Sequence, residues 1–199
     1  MSESDPDEKV RHQRLRAKLA ALDEFHKALG SAQAAWSAME DGLFEWFKQC
    51  TSMHTKLARA VFYSARSFDG RRDMLLAAIP FSPCDEKTRT GIRLCIKRVR
   101  KYAEFRNRFS HGHLIYLDRE IPQHVLTEGR SLESPLIEGH FVTCDDLRIA
   151  ALNFGKLTDC LLGFHPDWQP ESVCARGCLE EIRALPAEAH SLEPNQSET

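Results

Sequence analysis

A chain of 199 residues can bury a core as one domain without metal or disulfide staples, and its 28% charged and 42% hydrophobic residues are ordinary for a globular protein. A formal net charge of −2 supplies no global attraction to nucleic acid or to an anionic membrane, so any basic surface must be local. No uncharged apolar run approaches the roughly 18 residues of a membrane span, which excludes insertion, and seven scattered cysteines with no apolar signal segment after Met1 read as a reducing, cytoplasmic compartment.

The ends, MSESDPDEK and PAEAHSLEPNQSET, offer little to bury, so residues 1–8 and 186–199 are expected to be disordered around a single domain spanning 9–185. Leu15, Leu19, Leu22, Phe25, Ala28 and Leu29 mark a first amphipathic helix over 9–29. Gly30 and Ser31 then read as a stop and an N-cap. Ala35, Trp36, Met39, Leu43, Trp46 and Phe47 draw a second, aromatic stripe. Its Trp36, Phe44, Trp46 and Phe47 are expected to be core or dimer interface rather than a base-stacking platform. Further helices are expected over 53–67 and 69–79, the latter broken at IPFSP, and a long fifth helix over 85–111. HLIYL, QHVLT and HFVT suggest a small β-hairpin with a third short strand, and His124 and His140 there read as surface residues. TCDD at 143–146 is a capping-box variant opening a sixth helix over 144–163, and Val173 to Leu185 holds room for one more. The chain thus reads as mostly α, a helical bundle with a hairpin inserted after the fifth helix.

The fifth helix carries the chemistry. On a wheel of 100° per residue with Arg93 at zero, Ile92, Cys95, Val99, Tyr102, Ala103 and Phe109 fill a core sector. Arg93, Lys97, Arg100, Lys101, Asn107, Arg108 and His111 gather on the other side as a basic stripe. Arg106 breaks the division by pointing from the middle of the apolar sector. A guanidinium cannot be neutralised, and an unpaired one in a dry interior would cost several kcal/mol. Either it pairs with a carboxylate of the second helix, Glu40, Asp41 or Glu45, or it lines a cleft or subunit interface and meets a phosphate. His111, followed by a Gly112 suited to a left-handed helix end, should occupy the last turn, where the helix dipole favours an imidazolium.

Arg106, Asn107, three residues, His111 and Gly112, in the run AEFRNRFSHG, resemble the signature of the HEPN superfamily, helical bundles that carry Arg, a polar residue and His at the end of a long helix. The ending is similar to that of many small bacterial members, and the helical order from about 31 to 163 suits the bundle. After His111 this chain carries His113 and Tyr116 where catalytic members often hold a further aromatic or polar residue.

The resemblance implies a metal-independent, cofactor-free endoribonuclease acting as a homodimer, a toxin or defence effector with an antitoxin or regulatory protein as a second partner. His111 would move a proton, Arg106 would stabilise the phosphorane and Asn107 would orient either. Positions 106 and 111 project about 140° apart on a regular helix, so a symmetric pair of helices brings one chain's Arg to the other's His more easily than one chain brings its own. Arg93, Lys97, Arg100, Lys101, Arg108 and His113 would track RNA phosphates.

The competing class is a noncatalytic dimerisation, RNA-binding or nucleotide-binding module in which Arg106 is a structural ion-pair partner. Cys160, His165, Cys174 and Cys178 match no usual zinc spacing, so no metal site is expected, and DGRRD at 69–73 reads as a solvated helix start rather than a phosphate site.

Overall fold

The computed structural model describes residues 6–118, 123–128, 141–163 and 175–192. In chain order these form α1 (Pro6–Thr51), α2 (Thr55–Phe62), α3 (Phe68–Ala78), a 3-10 turn (Ile79–Phe81), α4 (Glu86–His111), β1 (Gly112–Leu117), β2 (Gln123–Glu128), β3 (Phe141–Val142), α5 (Cys144–Gly163) and α6 (Ala175–Ala184). The architecture is mostly helical with one small antiparallel sheet of order β1-β2-β3.

α1 corrects the expected division at Gly30 and Ser31: it is one helix of 46 residues. The buried positions Phe25, Ala28, Ala32, Trp36, Met39 and Leu43 continue at spacings of three and four straight across the pair. A glycine inside a helix costs only about 1 kcal/mol relative to alanine, less than this shared apolar stripe gains by packing on α5. α2, at 8 residues, is shorter than the helix expected over 53–67, whereas α3 keeps the expected 11 residues one position earlier. His54 caps α2, and Ser67 caps α3 by accepting from the Gly70 amide at 3.1 Å.

α5 has the expected bounds, and its cap is reciprocal. The Asp146 amide donates to Thr143 Oγ1 at 3.2 Å, while the Thr143 amide donates to Asp146 Oδ2 at 2.8 Å. The aromatic stripe of α1 lies in the core: Trp46 Nε1 donates to the Leu161 carbonyl at 2.8 Å, and Trp36 packs edge-on against Phe154 with centroids 5.3 Å apart.

α4 passes into β1 with no intervening residue. Gly112 is not left-handed as expected but extended, at φ −73° and ψ 153°. Its glycine answers crowding instead, since a Cβ there would lie 2.9 Å from the Arg108 carbonyl oxygen and 3.0 Å from Leu126 Cβ. β1 and β2 pair with Leu114 opposite Leu126 and Tyr116 opposite His124. His124 corrects a second expectation: it is 6% exposed, against Tyr116 at 5.0 Å between centroids. His140 falls outside the described residues.

Beyond α6 the chain is anchored as far as Ser191, inside the stretch expected to be disordered. Buried Arg98 and Tyr102 both donate to the Pro186 carbonyl, at 2.8 and 3.1 Å. Buried Asn153 donates to the carbonyls of Ala189 at 2.7 Å and Ser191 at 3.1 Å. At the other end, α1 begins at Pro6, also inside an expected disordered stretch.

Candidate functional site

Arg106 stands on the last two turns of α4, against Trp36 of α1 and across a cleft from the start of α3. Its guanidinium carbon lies 5.8 Å from the Trp36 ring centre, and its Nη1 donates to Asn107 Oδ1 at 3.2 Å. Its Nε is buried without an acceptor, and among the described residues Arg106 makes no ion pair. The three carboxylates expected to receive it are engaged elsewhere. Glu40 takes Arg71 at 2.7 Å, Asp41 accepts from the Tyr63 hydroxyl at 3.3 Å, and Glu45 pairs with Lys48. Burial, then the Asp41 charge, pushes the Tyr63 phenol above its ordinary range. The side chain is half-buried rather than sealed in, because the apolar sector of α4 opens here onto a cleft.

That cleft, about 610 Å³, is lined by Arg66 and Ser67 from the turn before α3, Asp69, Arg71 and Arg72 from its first turns, and Arg100, Glu104, Arg106 and Asn107 from α4. Five guanidinium groups therefore face two carboxylates. Arg71 is committed to Glu40, and Arg72 to Asp69 and Asp73 at 2.6 and 2.7 Å. Arg66, Arg100 and Arg106 form no ion pair among the described residues, so the cleft keeps an excess of fixed positive charge. Guanidinium donors in excess of acceptors, around a volume of this size, suit an anion with several oxygens, such as a phosphodiester.

The DGRRD turn, read from sequence as a solvated face, supplies half of this wall. Its two arginines were visible as charges, but nothing in their spacing announced that α3 would lie across from Arg106. Arg98 was missed as well, although its wheel angle of about 140° borders the core sector, which was the available signal.

The structure divides the other expected residues among several places. Arg100 joins Arg106 and Asn107 in the cleft. Lys101 and Arg108 line a separate groove with Ala187 to His190, where His190 stacks on Phe105 at 4.6 Å and pairs with Glu188 at 3.2 Å. Lys97 is exposed, beside Lys101 and buried Arg98. Arg93 is tied to Glu86 at 2.8 Å, and that hydrogen bond holds the Glu86 carboxyl below its ordinary range. His111, the last residue of α4, and His113 on β1 are exposed and do not line the cleft. One chain thus brings Arg106 and Asn107 together and leaves His111 facing outward.

Of the four residues weighed as zinc ligands, Cys160 is buried with its Sγ 3.8 Å from Glu181 Oε2. His165, Cys174 and the Cys178 side chain lie outside the described residues. Among the described residues no three His, Cys, Asp or Glu side chains converge, and no helix is long and apolar enough to cross a membrane. Set against protein-family models, curated proteins and solved structures, the chain matches none of them.

Proposed function

We propose that the chain is a metal-independent endoribonuclease of the HEPN type, acting as a homodimer in which His111 of one protomer completes the Arg106 cleft of the other. The observation that carries the reading is Arg106 itself. It is a permanent cation, half-buried over Trp36, without a carboxylate partner, facing a cleft already rich in guanidinium groups. The ion-pair strut on which a purely structural role depends has lost its three candidate acceptors to Arg71, Tyr63 and Lys48.

A bound RNA phosphate would accept from the Arg106 guanidinium, with Asn107 fixing that group through its Oδ1. The ribose 2'-oxygen attacks the adjacent phosphorus as its proton leaves. The bond from phosphorus to the 5'-oxygen breaks, and that oxygen takes up a proton, leaving a 2',3'-cyclic phosphate and a 5'-hydroxyl. His111 is the group suited to one of these proton transfers, and Arg106 meets the charge that builds on the equatorial oxygens. His111 is exposed at a helix end that a twofold mate can approach, which supports its delivery in trans. In a cell, the activity is that of a growth-arresting toxin or defence effector.

The test is cleavage of single-stranded RNA by purified protein in EDTA, with identification of the product termini. Cyclic phosphate ends are expected, with His111→Ala slowing cleavage by about 10²–10⁴-fold. Arg106→Ala is expected to lose comparable activity while lowering stability by under about 1 kcal/mol, because it breaks one side-chain hydrogen bond and a ring contact. A stability loss of several kcal/mol on that substitution, with no cleavage by the parent protein, would leave a noncatalytic module.

A further inference from the structure

The first turns of α1 project from the bundle, and every residue from Asp7 to Ala20 is exposed. Within Lys9–Leu22 there are five fixed cations, Lys9, Arg11, Arg14, Arg16 and Lys18, and not one carboxylate, while the remainder of the chain is net negative. None of the five forms an ion pair among the described residues, and the one contact of note is Lys18 Nζ, 4.3 Å from the centre of the Tyr116 ring.

We propose that this arm binds the sugar-phosphate backbone of single-stranded RNA, without regard to sequence, as a second contact remote from the cleft. The proposal rests on the RNA reading above for the identity of the polyanion, and its test reads binding rather than cleavage.

Charge complementarity selects the occupant. On the helix wheel Arg11, Arg14 and Lys18 fall within about 60° of one another, and Lys9 and Arg16 fall close together on another side. Cations on two sides suit a flexible strand that can wrap a rod, whereas insertion into a membrane surface needs one broad apolar face with the cations opposite it. The exposed apolar residues form only a narrow stripe, Leu15 and Leu19 about 40° apart, with Arg11 and Lys18 beside it within about 60° of Leu15 rather than opposite, and with Val10 some 140° away. Two copies of the arm laid side by side would set cation against cation. Along α1, Arg14 stands 22 residues before Trp36, about 33 Å at 1.5 Å per residue, so an RNA must be long to reach both the arm and the cleft.

The experiment measures binding of the full chain, in EDTA, to a uridine-rich RNA of about 30 nucleotides with 2'-O-methyl riboses, which 2'-oxygen attack cannot cleave, as salt is varied, while cleavage is read in parallel on the unmodified RNA. The triple variant Arg11→Gln, Arg14→Gln, Arg16→Gln leaves Lys18 on Tyr116 and touches no core residue. Removing three phosphate contacts should lower the slope of log K against log salt by about 2, so between about 50 and 200 mM salt the variant loses about twenty-fold less affinity than the wild type. The Arg→Lys triple should restore the slope, which separates charge from helix integrity. Wild-type RNA binding with this arm dependence but without cleavage would sink the nuclease reading and keep the arm. Cleavage with an unchanged slope would do the reverse. A variant that loses binding to phosphatidylserine vesicles, or changes only oligomeric state, while RNA binding stays at wild-type level would also overturn the proposal.

Discussion

Gly112 is required by space. With its Cβ-equivalent position 2.9 Å from a backbone carbonyl and 3.0 Å from Leu126, a methyl group can be seated only by moving α4 off β2. Gly112→Ala is expected to cost about 1–3 kcal/mol, read from urea unfolding, despite an extended φ that any residue adopts. His124 makes a pH-dependent contribution. Burial first, then the nearby charges of Lys18 and His26, lowers its pKa, and its Nδ1 has no hydrogen-bond partner. The folded state therefore holds it neutral where the unfolded chain has begun to take up the proton. Stability is expected to be full above the ordinary imidazole value of about 6.5 and to fall as the pH drops through that value toward the lower folded pKa. Replacing His124 with Phe should flatten this limb; an unaltered pH profile would place the titration elsewhere. Arg106 was conspicuous in the sequence because a wheel exposes a charge among apolar neighbours. His124 was misread because burial of a strand residue depends on what covers the sheet, here α1.

At the scale of elements, the legible features were those with local chemistry at their ends. α5 could be placed from 143–146 because the cap needs only Thr143 and Asp146, and α4 proves to start on a cap of the same local kind, Asp85 accepting from the Thr88 amide at 2.8 Å. The false break in α1 shows the limit of that approach. Gly30 and Ser31 are a plausible stop in isolation, but their meaning depends on whether the apolar stripes on either side lie on one face against α5, a tertiary fact. It follows that Gly30 is tolerated rather than needed. It is exposed, and a Cβ there would meet nothing within 4 Å. Gly30→Ala is expected to stabilise the protein by up to about 1 kcal/mol in thermal or chemical unfolding, and a destabilising result would mean that the position serves as a hinge. The meeting of α3 with α4 around the cleft was illegible for the same reason: no periodicity records which helix crosses which.

For the whole molecule, the decisive quantity is the number of chains per site. If His111 acts in trans, an Arg106→Ala chain and a His111→Ala chain are each inert alone. Mixed in equal amounts and allowed to exchange, half the dimers are heterodimers, each with one intact composite site, and activity should recover to about a quarter of wild type. A mixture no more active than its components, or a strictly monomeric protein on sizing, would remove the composite site. The seamless junction between α4 and β1 bears on how such a site is tuned. Because no residue separates His111 from β1, and Gly112 is paired with Glu128 and has no room for a Cβ against Leu126, the backbone that carries the imidazole is placed by the register of the hairpin as much as by the helix.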